Sequence, residues 1–119
     1  MADTITVPTE AYIELAAAFE NFYYFALFNG STEITDASTG AARAAGTHTR
    51  DTNTGIVTLS KTFSFNSAVV VTKVRLYNSG AAGGGKYLAE FVPDASSLPT
   101  AGFGAGGQLI LSFTAQMTA

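Results

Sequence analysis

The clearest signal along the chain is a period of two. From Ile56 onward, Val57, Leu59, Phe63 and Phe65 share one side of an extended chain while Thr58, Ser60, Thr62 and Ser64 share the other, the alternation of a half-buried antiparallel strand. Lys61 is the single exception on the apolar side. Ala68 to Tyr77 predicts a longer strand, with Val70, Val74 and Leu76 facing one way, Lys73 and Arg75 the other, and Asn78-Ser79-Gly80 as its stop. Tyr87 to Val92 and Gln108 to Met117 predict two more strands, separated by a loop that holds Pro93, Pro99 and a glycine-rich stretch. The aromatic run Phe22 to Phe28 ends at Asn29-Gly30 and predicts a central strand closing in a tight turn. Turn clusters at Thr35 to Gly40 and Asp51 to Gly55 bracket an expected edge strand near Arg43 to Arg50.

A helical period occurs once. Tyr12, Leu15, Ala16 and Phe19 fall on one face of a helix expected from Pro8 to Glu20, with Pro8 suited to the first turn and Thr6 as its cap. Before it, Met1 to Val7 alternates loosely and predicts a short strand or extended arm with Ile5 and Val7 on one side. Six to eight strands with one helix, and no strand-helix-strand alternation, imply a mainly β chain: a single antiparallel β-sandwich or jelly-roll-like domain over residues 8–119, preceded by the arm 1–7.

Composition narrows the function classes. Hydrophobic residues are 47% and charged residues only 13% of the 119 residues, so the chain has the apolar area to fold and a surface that is largely polar but neutral. Such a surface suits a subunit packed against neighbours, because interface cores are depleted in charge. With 6 basic and 9 acidic residues and a formal charge of −3, no basic stripe exists to neutralise phosphates, so direct nucleic-acid binding is not expected. The absence of cysteine excludes disulfides, thiolate metal sites and thiol nucleophiles. Met1-Ala2-Asp3-Thr4 is not a basic region leading into an apolar one, and the longest apolar runs are too short to span a bilayer, so neither export by a standard signal nor membrane anchoring is expected.

The motifs that suggest chemistry fail on context. Gly80 to Lys86 has the spacing of a phosphate-binding loop, but Tyr87 stands where the magnesium-binding hydroxyl belongs, and a strand follows instead of a helix. Gly102 to Gly107 contains G-x-G-x-x-G and also leads into a strand. Phe103 in that loop either folds back on its own core or anchors a partner. His48 is the one histidine; with Asp51 nearby a Ser-His-Asp set can be drawn, but no nucleophile elbow accompanies it. The acids are scattered, and Asn29-Gly30-Ser31 is turn chemistry. No catalytic residue, metal ligand or cofactor follows, so the expectation is a non-enzymatic protein.

Taken in order, the segments FALFNGSTEI, AARAAGTHTRDTNTGIVTLSKTFSF, AVVVTKVRLYNSGAAGGGKYLAEF and QLILSFTAQ, after an N-terminal helix, resemble small β-sandwich structural proteins of tailed bacteriophages, of the decoration, neck and tail kinds. The resemblance lies in strand and turn order over most of residues 11–115. It implies a virion protein, made in the host cytoplasm, that works through protein-protein contacts with copies of itself and with capsid or tail subunits. Contact candidates are Ile5 and Val7 in the arm, Phe103 in the glycine loop, and Tyr77 and Tyr87. The alternative is a carbohydrate-binding module in which Tyr23, Tyr24, Tyr77 and Tyr87 stack on a host glycan.

Overall fold

The computed structural model describes residues 17–93 and 102–116, residue 116 by its backbone. Residues 17–20 are helical, where the sequence places the end of its helix; residues 8–16 and the arm 1–7 lie outside the described residues. Eight strands follow: β1 Tyr24–Asn29, β2 Thr32–Glu33, β3 Ala44–Ala45, β4 Thr47–Arg50, β5 Ile56–Ser64, β6 Lys73–Tyr77, β7 Tyr87–Phe91 and β8 Gln108–Gln116. They form two antiparallel sheets, one in the order β2-β1-β6-β7 with β3 also on β1, the other in the order β4-β5-β8. The protein is mainly β and sandwich-like, as its alternation implies. Among the described residues no helix is long and apolar enough to cross a membrane.

The period-two faces meet between the sheets. Phe25 and Leu27 of β1 and Val74 and Leu76 of β6 are buried against Val57, Leu59 and Phe63 of β5 and Leu109 and Leu111 of β8. Phe91 and Phe113 close one region of this core with ring centroids 3.9 Å apart in an edge-on arrangement. Each fully buried large apolar side chain is worth about 1.5–3 kcal/mol over its exposed state. Lys61, on the inward side of β5, is half-buried and holds its ammonium 5.4 Å from the Phe63 ring centroid.

Two expectations need correction. The stretch Ala68 to Tyr77 is not one strand. Val69 pairs with Phe103 through reciprocal backbone hydrogen bonds, and Val69 and Val71 point inward while Val70 is 37% exposed. Thr72 resets the register: its N–H donates to the Phe28 carbonyl at 2.8 Å, its hydroxyl donates to the same oxygen at 3.2 Å, and that hydroxyl accepts the Gly30 N–H at 2.8 Å. A side-chain bridge to a neighbouring turn has displaced the ladder by one residue, and the apolar parity changes from odd to even.

The expected edge strand near Arg43 to Arg50 is likewise two strands, β3 in one sheet and β4 in the other. Gly46 alone carries the chain across. Its N–H donates to the Tyr23 carbonyl at 2.8 Å, and a Cβ there would collide with the Ser60 carbonyl oxygen and the Phe25 ring. Only a residue without a side chain fits this approach. Gly46→Ala is therefore expected to destabilise the domain by about 1–3 kcal/mol through overpacking, measured by urea denaturation, with a Gly104→Ala control, where a Cβ meets nothing within 4 Å, costing less.

Candidate interaction faces

Each sheet has a second face, turned away from the core, and the two are built from different chemistry. On the five-stranded sheet the outward residues are Tyr24, Ala26 and Phe28 of β1, Lys73, Arg75 and Tyr77 of β6, and Tyr87 and Glu90 of β7, in register across the strands. Ala26, Phe28 and Tyr77 are buried all the same, because charged side chains lie flat over them.

Arg43 is the centre of this cover. Its side chain is 1% exposed and that of its partner Glu33 10%. Nε donates to Glu33 Oε2 at 3.0 Å and Nη2 to Oε1 at 2.7 Å, while Nη1 donates to the carbonyls of Ser79 at 3.0 Å and Gly84 at 2.9 Å. The guanidinium sits 3.6 Å from the Tyr77 ring centroid, and the Gly83 N–H donates back to Glu33 Oε1 at 3.3 Å. A paired charge with its fork satisfied and a ring beneath it meets the conditions for burial. The Gly80 to Lys86 loop is thus pinned as the β6–β7 connection.

Arg75 extends the layer. It lies between the rings of Phe28 at 4.6 Å and Tyr87 at 4.2 Å, donates through Nε to Glu90 Oε1 at 2.7 Å, and contacts the Tyr77 hydroxyl at 3.3 Å. The Tyr77 and Glu90 contacts raise the Arg75 pKa, so the guanidinium stays charged. Lys73 adds a second ion pair to Glu90 at 3.1 Å. The Arg75 hydrogen bond, followed by that of Lys73, holds the Glu90 carboxyl below the ordinary range.

The outward face of the three-stranded sheet has no charge at all. Its described positions are Thr47 and Thr49 of β4, Ile56, Thr58, Ser60, Thr62 and Ser64 of β5, and Gln108, Ile110, Ser112 and Thr114 of β8, in rows such as Thr49, Thr58, Thr114 and Thr47, Ser60, Ser112. Thr47 and Ser60 share a hydroxyl hydrogen bond. Ile110 stands out of this layer at 72% exposure. Beside it a groove of ≈ 470 Å³ is lined by Ala45 to Thr47, Ser60 to Thr62 and Ile110 to Ser112.

The expected contact residues fall in different settings. Ile5 and Val7 lie outside the described residues. Phe103 is half-buried and packs on Phe65 with centroids 4.7 Å apart, folded back on its own core. Tyr77 is buried under Arg43, whereas Tyr87 is 49% exposed. Tyr23 and Tyr24 stack on each other at 4.4 Å and join hydroxyls at 3.1 Å. His48 packs on Tyr23 and bonds through Nδ1 to Glu20 Oε2 at 2.7 Å, an edge contact rather than a triad. Among the described residues no three His, Cys, Asp or Glu side chains gather as metal ligands.

Comparison with protein-family models, curated proteins and solved structures finds no match. Function is therefore read from the faces themselves. The Arg43–Glu33 lock and Ile110 were not among the residues expected to make contacts. The signal for the first was a lone charge inside Ala41-Ala42-Arg43-Ala44-Ala45, where a run of small residues leaves room for a partner to close over it.

Two outcomes follow. Glu33→Ala leaves the buried Arg43 charge unpaired and should cost about 3–5 kcal/mol in urea denaturation, and Arg43→Lys should fail to restore the loop because a single ammonium cannot reproduce the fork. Acid provides the second test. Glu90 is depressed by Arg75 and Lys73, Asp36 by the hydroxyl and N–H of Ser38, and Asp51 by the N–H groups of Asn53 and Thr54. A depressed carboxyl contributes stability above its unfolded pKa of about 4 and loses it as pH falls through the folded value. Thermal midpoints should therefore drop below about pH 4, and Glu90→Gln should flatten part of that drop.

Proposed function

We propose that this protein is a non-enzymatic structural subunit of a tailed-phage particle, in the capsid surface, neck or tail, acting through contacts with its own copies and with other particle proteins. The observation that carries the proposal is the asymmetry of the two outer faces. One is largely covered by its own ion-aromatic layer, with Tyr87 and Leu88 of β7 left exposed, while the other is, at its described positions, an uncharged hydroxyl sheet with an exposed isoleucine. A face of that kind has little charge to desolvate and suits contact with protein, since interface cores are poor in charged residues.

The order of strands and turns, which resembles that of phage decoration, neck and tail proteins, supports the particle setting. Glycan binding is the weaker reading. Stacking on a sugar needs open aromatic faces, and of the four tyrosines Tyr77 is covered by Arg43 while Tyr23 and Tyr24 occupy each other. Repetition on a particle lattice compensates for a modest individual contact by avidity.

Co-sedimentation of the purified protein with particles lacking it tests the proposal. Saturable binding at a fixed number of copies per particle is the expected result. No binding to capsids, necks or tails, together with specific retention on a glycan array lost in Tyr87→Ala, would replace it with the carbohydrate reading.

A further inference from the structure

We propose that the hydroxyl face of the β4-β5-β8 sheet is the surface on which a second copy of this chain docks, face to face about a two-fold axis, with Ile110 of each copy seated in the groove of the other. This deepens the subunit reading above and rests on it for its setting, but its physical argument is local. A two-fold interface is isologous, so one patch must carry both a projection and the recess that receives it. Ile110 is 72% exposed and borders a groove of ≈ 470 Å³, far more than one isoleucine side chain requires, and both lie on the same sheet face.

Charge permits this pairing. Every described outward position of this face is Thr, Ser, Gln or Ile, so two copies meet without like-charge repulsion despite the chain's formal charge of −3. The charged residue on the groove's rim is Lys61, which has the inward parity of Leu59 and Phe63 and lies over the Phe63 ring. The same pairing attempted on the other sheet would bring Lys73 and Arg75 against their counterparts, with a cost in repulsion and desolvation.

The area sets the strength. Two nine-residue strands and one of four residues, at about 3.3 Å per residue and about 4.8 Å between strands, present roughly 350 Å². This is about half of the roughly 800 Å² per partner in a standard stable interface. The contact should therefore be weak in free solution and effective where copies are held close together.

Sedimentation velocity over a wide concentration range tests this with three variants. Ile110→Glu places a charge on the projection, Thr62→Arg fills the groove, and Val92→Glu alters an equally exposed apolar residue, also at 72%, outside this sheet. Far-ultraviolet circular dichroism confirms the fold of each. The expected result is a reversible monomer-dimer equilibrium in the wild type and in Val92→Glu, weakened at least tenfold in both Ile110→Glu and Thr62→Arg. A wild type that stays monomeric at millimolar concentration overturns the inference, as does an Ile110→Glu protein that dimerises normally or a Val92→Glu protein that is equally impaired. Particle binding is scored separately, so a dimer that binds no particle contradicts the subunit proposal and leaves the docking face standing.

Discussion

The buried guanidinium of Arg43 is the constraint around which the outer half of the molecule is organised. A charge removed from water costs several kcal/mol unless its donors find acceptors and its sign is matched. Here the acceptors come from three separate parts of the chain: the β2 carboxylate of Glu33 and the carbonyls of Ser79 and Gly84 on either side of the glycine loop. Satisfying one side chain thus fixes the β1–β2 hairpin against the β6–β7 connection. It also places a flat cation on Tyr77, which lets a tyrosine be buried on the face of a sheet that, among the described residues, has no second sheet above it.

The difference between the two outer faces follows from that arrangement. With Arg43 over Tyr77 and Arg75 between Phe28 and Tyr87, the Phe28 and Tyr77 rings of the five-stranded sheet are covered by the chain itself, while Tyr87 stays 49% exposed. The ion pairs that hold this cover leave its polar groups occupied. On the other sheet the side chains are short, so the hydroxyl groups lie close to the backbone, and nothing from the described residues is folded over them. A molecule with one self-covered face and one plain face has a built-in direction, which a subunit needs if its neighbours are always to meet the same surface.

Much of this was legible in the chain. The alternation from Ile56 to Phe65 predicted the inward and outward residues of β5, and Asn29-Gly30 marked the β1–β2 turn, because both depend on local geometry alone. The interruptions were not legible, because their causes are distant in sequence. Thr72 shifts the parity of the Val69 to Tyr77 stretch by bonding to Phe28 and Gly30, and Gly46 changes sheets because Ser60 and Phe25 close around it. The outward hydroxyls of β5 were visible as a polar face, but only pairing with β4 and β8 showed that the face is continuous and charge-free across three strands. Tyr77 looked like a surface aromatic until Arg43, far away in the chain, covered it.

The two outer faces are expected to differ in fate, one largely covered within the molecule and one left for a second copy. The most direct measurement is the set of backbone amide chemical shifts followed as protein concentration is raised. Shifts are expected only at Thr47–Arg50, Ile56–Ser64 and the β8 residues around Ile110, with Lys73–Tyr77 and Tyr87–Phe91 unmoved. Shifts centred on the Arg75 and Tyr87 face, with the hydroxyl sheet silent, would contradict it.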